Sequence, residues 1–163
     1  MSASDGAWAG SVDAAQLIAN SASEAGIEIE VIREPSDGYW SNVWNNDAKG
    51  WAACYWGGRP TADWMFTTAY VNDAKWNDTA WKGTDSSKKF NSLVKDARSE
   101  LDDTKRREMY YECQHLISDD GGAIVPLFNS YVSANSKAIA MDEQIAANWD
   151  SDGAKCVERW WFA

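Results

Sequence analysis

The densest group of residues able to do chemistry is Tyr55-Trp56-Gly57-Gly58-Arg59-Pro60-Thr61-Ala62-Asp63-Trp64. Two aromatic rings come first. Two glycines follow, and they let a ligand approach the backbone. Arg59 offers a planar fork that matches a carboxylate. Thr61 is placed to cap a helix that starts with Asp63 and Trp64 in its first turn. Ligands of α/β domains gather at strand ends and helix N-termini, so a strand, loop and helix of this composition reads as a binding loop. The plainer reading is a strand-to-helix turn with a surface arginine.

Other candidate chemistries are weaker. Glu112-x-x-His115 places a carboxylate and an imidazole on one helix face. A di-iron bundle needs that pair twice, with two further glutamates, and the chain has one histidine. A solvated helix face is expected, with no metal. Cys54, Cys113 and Cys156 are widely spaced and form no CxxC pair, so they do not read as a zinc site. Lys82-Gly-Thr-Asp-Ser-Ser lacks the phosphate-loop spacing, and there is no G-x-S-x-G elbow. The acid pairs Asp102-Asp103 and Asp119-Asp120 fall at helix ends, where carboxylates cap N–H groups or sit in turns. No catalytic set and no cofactor motif emerges. The expectation is a binding protein and not an enzyme.

Composition narrows the partners. The 163 residues carry 25 acids against 15 Lys and Arg, a formal charge of -10. That balance opposes phosphate-backbone binding and provides no basic patch for an anionic membrane. Eleven tryptophans are more than ordinary core packing needs. Trp combines a flat apolar face with one N–H donor, so some are expected to line a site. No run approaches the roughly 20 apolar residues of a membrane span. Met1-Ser-Ala-Ser-Asp-Gly has neither a basic nor an apolar region, so this chain reads as lacking a signal peptide.

The elements that position the loop follow from periodicity. Residues 1–10 read as an irregular lead-in. Ser11 is expected to cap a helix over 12–25, stopped at Gly26. Ile27-Glu-Ile-Glu-Val-Ile32 alternates like a half-exposed strand. A short helix is expected over Tyr39 to Trp44, then a buried strand over Trp51 to Trp56, and a helix over 62–71 capped by Thr61. Residues 72–85, with Trp76 and Trp81, read as an exposed excursion. Ser86 or Ser87 opens an amphipathic helix with Phe90, Leu93, Val94 and Ala97 on one stripe. Asp103 caps the next, with Met109, Tyr110, Cys113, Leu116 and Ile117 inward. Residues 119–122 read as a turn. Ala123–Phe128 and Tyr131–Val132 read as strands, and 137–163 as a loop-like tail ending in a strand over 157–162. The fold class is α/β (α+β), a small mixed sheet flanked by helices.

In order along the chain, several segments resemble the C-terminal portion of extracellular solute-binding proteins of the peptide/nickel class (family 5), which serve ABC importers. Ala14 to Val31 is similar to that family's helix followed by A-G-I-x-V. Trp51 to Phe66 is similar to its strand and acidic loop. Phe90-Asn-Ser-Leu-Val-Lys-Asp-Ala-Arg resembles F-D-x-L-I-x-x-A-R, residues 104–117 resemble R-x-x-x-Y-x-x-A-Q-x-I, and Ala123-Ile-Val-Pro-Leu-Phe resembles A-P-x-I-P-L-Y. The likeness covers roughly residues 12–140. It implies a type II periplasmic-binding-protein-like clam shell, of which 1–163 is one partial domain, with 137–163 returning to a missing lobe. It implies transport of a peptide or similar small polar solute, a periplasmic or extracytoplasmic location for the full-length protein, and a membrane permease as partner. The implied ligand-binding residues are Trp40, Tyr55, Trp56, Gly58, Arg59, Asp63 and Trp64. Family members that bind peptides hold the α-ammonium with an aspartate near the position of Arg59, so the arginine here points to a carboxylate or another polar group. Exposed aromatics at 160–162 lead to an expectation of self-association. A Trp-rich protein-interaction module is the alternative, and a hydrolase a more distant one.

Overall fold

The first residues of the chain form the middle of its main sheet. In a computed structural model, which describes residues 1–46, 50–146 and 148–163, β1 (Ser2–Ala3) pairs in parallel with β2 (Ile32–Arg33), Ser2 opposite Ile32 and Ala3 opposite Arg33. On its other side Ser2 bridges in parallel to Ala52. The ladder is continuous on both flanks. Met1 and Ala3 carbonyls accept from Ile32 and Glu34 at 2.9 and 2.8 Å, and Ser2 exchanges bonds with Trp51 and Ala53 at 2.9 and 2.8 Å. Parallel strands need a crossover, and α1 (Ser11–Glu24) supplies it. Its buried positions are Ser11, Ala15 and Ala19, a small-residue stripe at intervals of four, while Leu17 lies exposed. A short helix, α2 (Tyr39–Asn42), buries Tyr39 to 1% exposure. Its phenol donates to the Ala53 carbonyl at 2.6 Å and lies 3.2 Å from that of Ser2, so one hydroxyl spans two strands.

The larger core belongs to α3 (Ala62–Ala69), α4 (Asp85–Ser99) and α5 (Asp103–Asp120). Phe66, Tyr70, Trp81, Phe90, Val94, Cys113 and Ile117 are buried together, with Leu93, Tyr110 and Leu116 packed against them. Phe90 has no exposed surface; its ring meets Phe66 edge-on at 5.5 Å and Trp81 at 5.3 Å. The periodic stripes of α4 and α5 therefore face each other as expected. Each N-terminus is capped by a side chain: Thr61 accepts from Trp64 N–H, Thr84 from Ser87 N–H, and Asp102 from the N–H groups of Thr104 and Lys105.

Several expectations need correction. Residues 1–10 are not irregular throughout: 5–10 are turn and bend, but Ser2–Ala3 form β1, because in the middle of a parallel sheet backbone pairing suffices and Ser-Ala carries no β signal. Ser11 does not cap α1; Gly10, with φ +87°, takes that position and Ser11 is the first helical residue. The caps of α4 and α5 are Thr84 and Asp102, one to three residues before those expected. The strand read at 27–32 shrinks to Ile32–Arg33, and that read at 51–56 to the bridge at Ala52. Residues 72–85 are not an excursion throughout, since Trp81 is buried and donates to Asp120 at 2.9 Å. That carboxylate also takes Thr84 and Ser86 hydroxyls and is held below the usual range, chiefly by the Ser86 bond. The turn read at 119–122 starts later, because α5 continues through Asp120. Residues 123–138 form no strand, and Ile124, Leu127, Phe128 and Val132 stand exposed. The tail holds β3 (Ile139–Ala140) antiparallel to β4 (Trp161–Phe162), a left-handed turn, α6 (Asp150–Ala154), and one helical turn, α7 (Cys156–Arg159). Among the described residues the chain is thus helix-rich α+β with two small sheets.

Phe90→Ala removes a fully buried ring from the centre of the larger core and is expected to cost about 3–5 kcal/mol. Urea unfolding measures this, with Leu101→Ala, at an exposed position, expected within about 0.5 kcal/mol of wild type.

Candidate functional site: an aromatic wall and a glycine turn

Beyond its bridge to β1, the segment through Ala52 continues past the sheet as Cys54-Tyr55-Trp56. α2 stands beside it and contributes Trp40, and the turn that follows α2 contributes Trp44. Trp40 meets Tyr55 at 5.5 Å and Trp44 at 5.5 Å, both edge-on, and Trp44 meets Trp56 at 5.8 Å. Trp76 extends the row, 5.4 Å from Trp44, with the Lys75 ammonium 4.6 Å from the Trp76 ring. Edge-to-face pairs of this kind suit the ring quadrupole.

One carboxylate fixes the wall. Asp78 Oδ1 accepts from the Trp44 indole N–H at 2.5 Å, and Oδ2 accepts from the Trp56 indole N–H at 3.0 Å. The Cys54 thiol lies 3.5 and 3.6 Å from the two oxygens as a third donor. Asp78 is itself tethered, its N–H donating to the Ala69 carbonyl at 3.0 Å. Burial pushes the Cys54 thiol up to about 12, and the Asp78 charge adds to this. Burial likewise pushes the Tyr70 phenol up to about 12, with Asp78 again contributing. The thiol is therefore a neutral donor at physiological pH, without the thiolate character of a nucleophile.

The residues read from sequence as ligand-binding separate into groups. Trp40, Tyr55 and Trp56 come together in the wall. Arg59 folds back on its own turn, Nη1 donating to the Gly57 carbonyl at 2.8 Å, and its guanidinium lies 5.7 Å from the Trp56 ring centre. Asp63 is engaged elsewhere: Arg98 donates to both its oxygens at 2.8 and 2.9 Å, and Tyr110 hydroxyl is 3.3 Å away. That carboxylate ties α3 to α4 and α5. Trp64 is exposed on α3 and Gly58 is exposed in the turn. Gly57 is covered by the tail, because a Cβ there would overlap the Trp149 ring. Two surface depressions lie away from the wall, one between α1 and residues 28–30, the other along the start of α5 beside Tyr110 and Tyr111.

Sequence reasoning missed Trp44, Trp76, Cys54 and Asp78 as members of this cluster. The i, i+4 spacing of Trp40 and Trp44 was a usable signal. Asp78 had none, since a lone acid in a polar stretch looks solvated. Glu112 pairs with Lys89 at 2.5 Å, which holds its carboxyl below the usual range, and His115 sits edge-on to Tyr111 at 4.8 Å. Among the described residues no group of three or more His, Cys, Asp or Glu converges as metal ligands. All three cysteines are free thiols.

Compared with family models, curated proteins and solved structures, the chain matches none of them.

Asp78→Asn keeps the shape and removes the charge. It turns one acceptor into a donor facing indole N–H groups, and is expected to destabilise the fold by about 1–3 kcal/mol. The Cys54 thiol should then titrate below 12, seen as faster iodoacetamide labelling at Cys54 near pH 9 by mass spectrometry. In the wild type Cys54, Tyr39 and Tyr70 all hold their protons above the ordinary values of 9.0 and 10.0. The folded state therefore binds more protons than the unfolded one in that range. Stability is expected to be complete below pH 9 and to fall as pH rises toward 12, which urea midpoints measured across that window would show.

Proposed function

We propose that this chain is a substrate-binding component of an ABC importer, forming one lobe of a type II clam shell and holding a peptide or similar small polar solute for transport. The observation that carries the reading is the aromatic wall standing where a segment of a parallel β-α-β unit leaves the sheet, next to a double-glycine turn and an arginine. Ligands of such units sit at the carboxyl ends of the strands. Trp40 and Tyr55 remain 38% and 59% exposed, which leaves ring surface for stacking on a side chain, a proline or a sugar. Arg59 has N–H groups beyond the one on Gly57 for a carboxylate, and Gly58 leaves its backbone open. These groups bind and do not transform: the neighbouring thiol is held neutral and Asp63 is neutralised by Arg98. The order of motifs that resembles peptide/nickel binding proteins supports the same reading, with an extracytoplasmic location and a membrane permease as partner. The interaction-module alternative draws support from the exposed row Ile124, Val125, Leu127, Phe128 and Val132, an extent of apolar surface that marks contact sites.

A single lobe makes only part of a closed site's contacts, so affinity is expected to be millimolar, about 4 kcal/mol. An NMR titration with the tripeptide Ala-Trp-Ala should move the backbone amides of residues 55–59, and Tyr55→Ala should weaken the effect several-fold. Shifts confined to 124–132 would favour the interaction module, and no shifts at 55–59 would overturn the binding reading. Light scattering after size exclusion should show a dimer or larger species that Phe128→Ser with Val132→Ser returns to monomer.

A further inference from the structure

The turn that the binding reading leaves open to ligand already has an occupant from the chain's own tail. A Cβ built on Gly57 would overlap Cζ3 of Trp149 and stand 3.2 Å from Cη2 and 3.5 Å from Cε3. The edge of the six-membered indole ring therefore rests on the bare α-carbon, a position that only glycine allows. Asn148 precedes it, its carbonyl oxygen 3.8 Å from where a Gly58 Cβ would be. Tyr131 backs the indole at 6.3 Å. Trp149 nevertheless stays 47% exposed, so it lies on the turn as a ligand would and is not sealed in as a core residue.

The tail is held there under strain. Ser151, Asp152 and Ala154 have φ of 51, 62 and 64°, with Gly153 at 65° between them. Consecutive left-handed residues are unfavourable for L-amino acids other than glycine. The compensation is local. Asp152, 3% exposed, accepts from Ala146 N–H at 2.6 Å and Arg159 Nη1 at 3.0 Å, while Arg159 Nη2 donates to the Gln144 carbonyl at 2.8 Å. A turn that is unfavourable by itself and kept by the Asp152 carboxylate and the Arg159 guanidinium, which Asp142 also approaches at 3.6 Å, can let go when either of the two is lost.

We infer that Trp149 is a tail-borne plug on the Gly57-Gly58 turn, occupying the place of a planar ring of the ligand and withdrawing before that ring enters. The inference rests on the proposed binding role of the turn. It narrows the ligand to one that presents a flat ring, such as an aromatic side chain of a peptide.

The test labels the whole chain with 5-fluorotryptophan and follows the Trp149 fluorine resonance, assigned by Trp149→Phe. Gly57→Ala is expected to move that resonance toward its position in urea, because the added methyl displaces the ring. Gly58→Ala, whose methyl meets only ordinary contact, should leave it in place. Arg159→Ala releases the turn by a separate route and should move it in the same direction. Ala-Trp-Ala should bind Trp149→Ala at least threefold more tightly than wild type. A Trp149 resonance unmoved by both Gly57→Ala and Arg159→Ala overturns the plug, whatever the peptide does. Equal, measurable peptide affinity in wild type and Trp149→Ala also overturns it and leaves the binding role intact. A moved resonance with no peptide binding to either protein upholds the tail contact and overturns the binding role.

Discussion

The Asp78 carboxylate is the interaction on which the aromatic half of the molecule depends. Two indole N–H groups and a thiol converge on its two oxygens. Trp44 comes from the loop after α2, Trp56 and Cys54 from the segment beyond the sheet, and neither stretch has a regular element to fix it. Indoles in that situation have apolar faces that pack in many ways and one N–H that needs an acceptor. A carboxylate accepts several donors at once, and hydrogen bonds to an ionised group are stronger than neutral ones. Asp78 therefore selects one arrangement among many of similar apolar burial. Its own backbone bond to Ala69, at the end of α3, passes that arrangement to the helical core.

The same device recurs. Asp120 accepts from Trp81 and the Thr84 and Ser86 hydroxyls, tying the C-terminal end of α5 to the start of α4. Asp63 takes the Arg98 fork and faces Tyr110, tying α3 to the helical pair. In each case an acid sits between elements, and its partners are aromatic N–H, hydroxyl or guanidinium groups. The net charge of -10 is thus not only a solvated surface. Part of it consists of acceptors that supply directional bonds between elements whose buried faces, Ala15 and Ala19 on α1 for example, are small. Such bonds specify geometry more than they add stability, because each carboxylate loses water in forming them.

What was legible in the sequence follows from which forces were local. The stripes of α4 and α5 repeat every three to four residues, and burial of those positions is what holds the pair together, so pattern and cause coincide. Thr61 was legible for the same reason, since a cap acts within three residues. β1 was not legible because Ser2 and Ala3 owe their place to ladders with residues 32–34 and 51–53, contacts that leave no mark in a dipeptide. At 123–128 and 131–132 the apolar, β-prone runs were read as strands, yet strand formation requires a neighbour, and among the described residues none pairs with them. The candidate loop was legible in composition. Its wiring was not: the Arg98 fork that holds Asp63 lies a whole helix further on.

Tryptophan number is for the same reason a poor guide to function, and the partner of each indole N–H is a better one. Trp81 is buried with its N–H on Asp120, and its role is core packing. Trp44 and Trp56 have their N–H groups on Asp78 but keep edges in the wall, so they position others. Trp40, with 38% of its surface exposed and three aromatic neighbours, presents a face that is held in place and still accessible. Trp149 sits on bare glycine backbone with nearly half its surface exposed. A residue packed for stability would not be left so open, and a residue meant for solvent would not require a glycine beneath it. That combination is what supports the proposal that a ligand's ring takes its place.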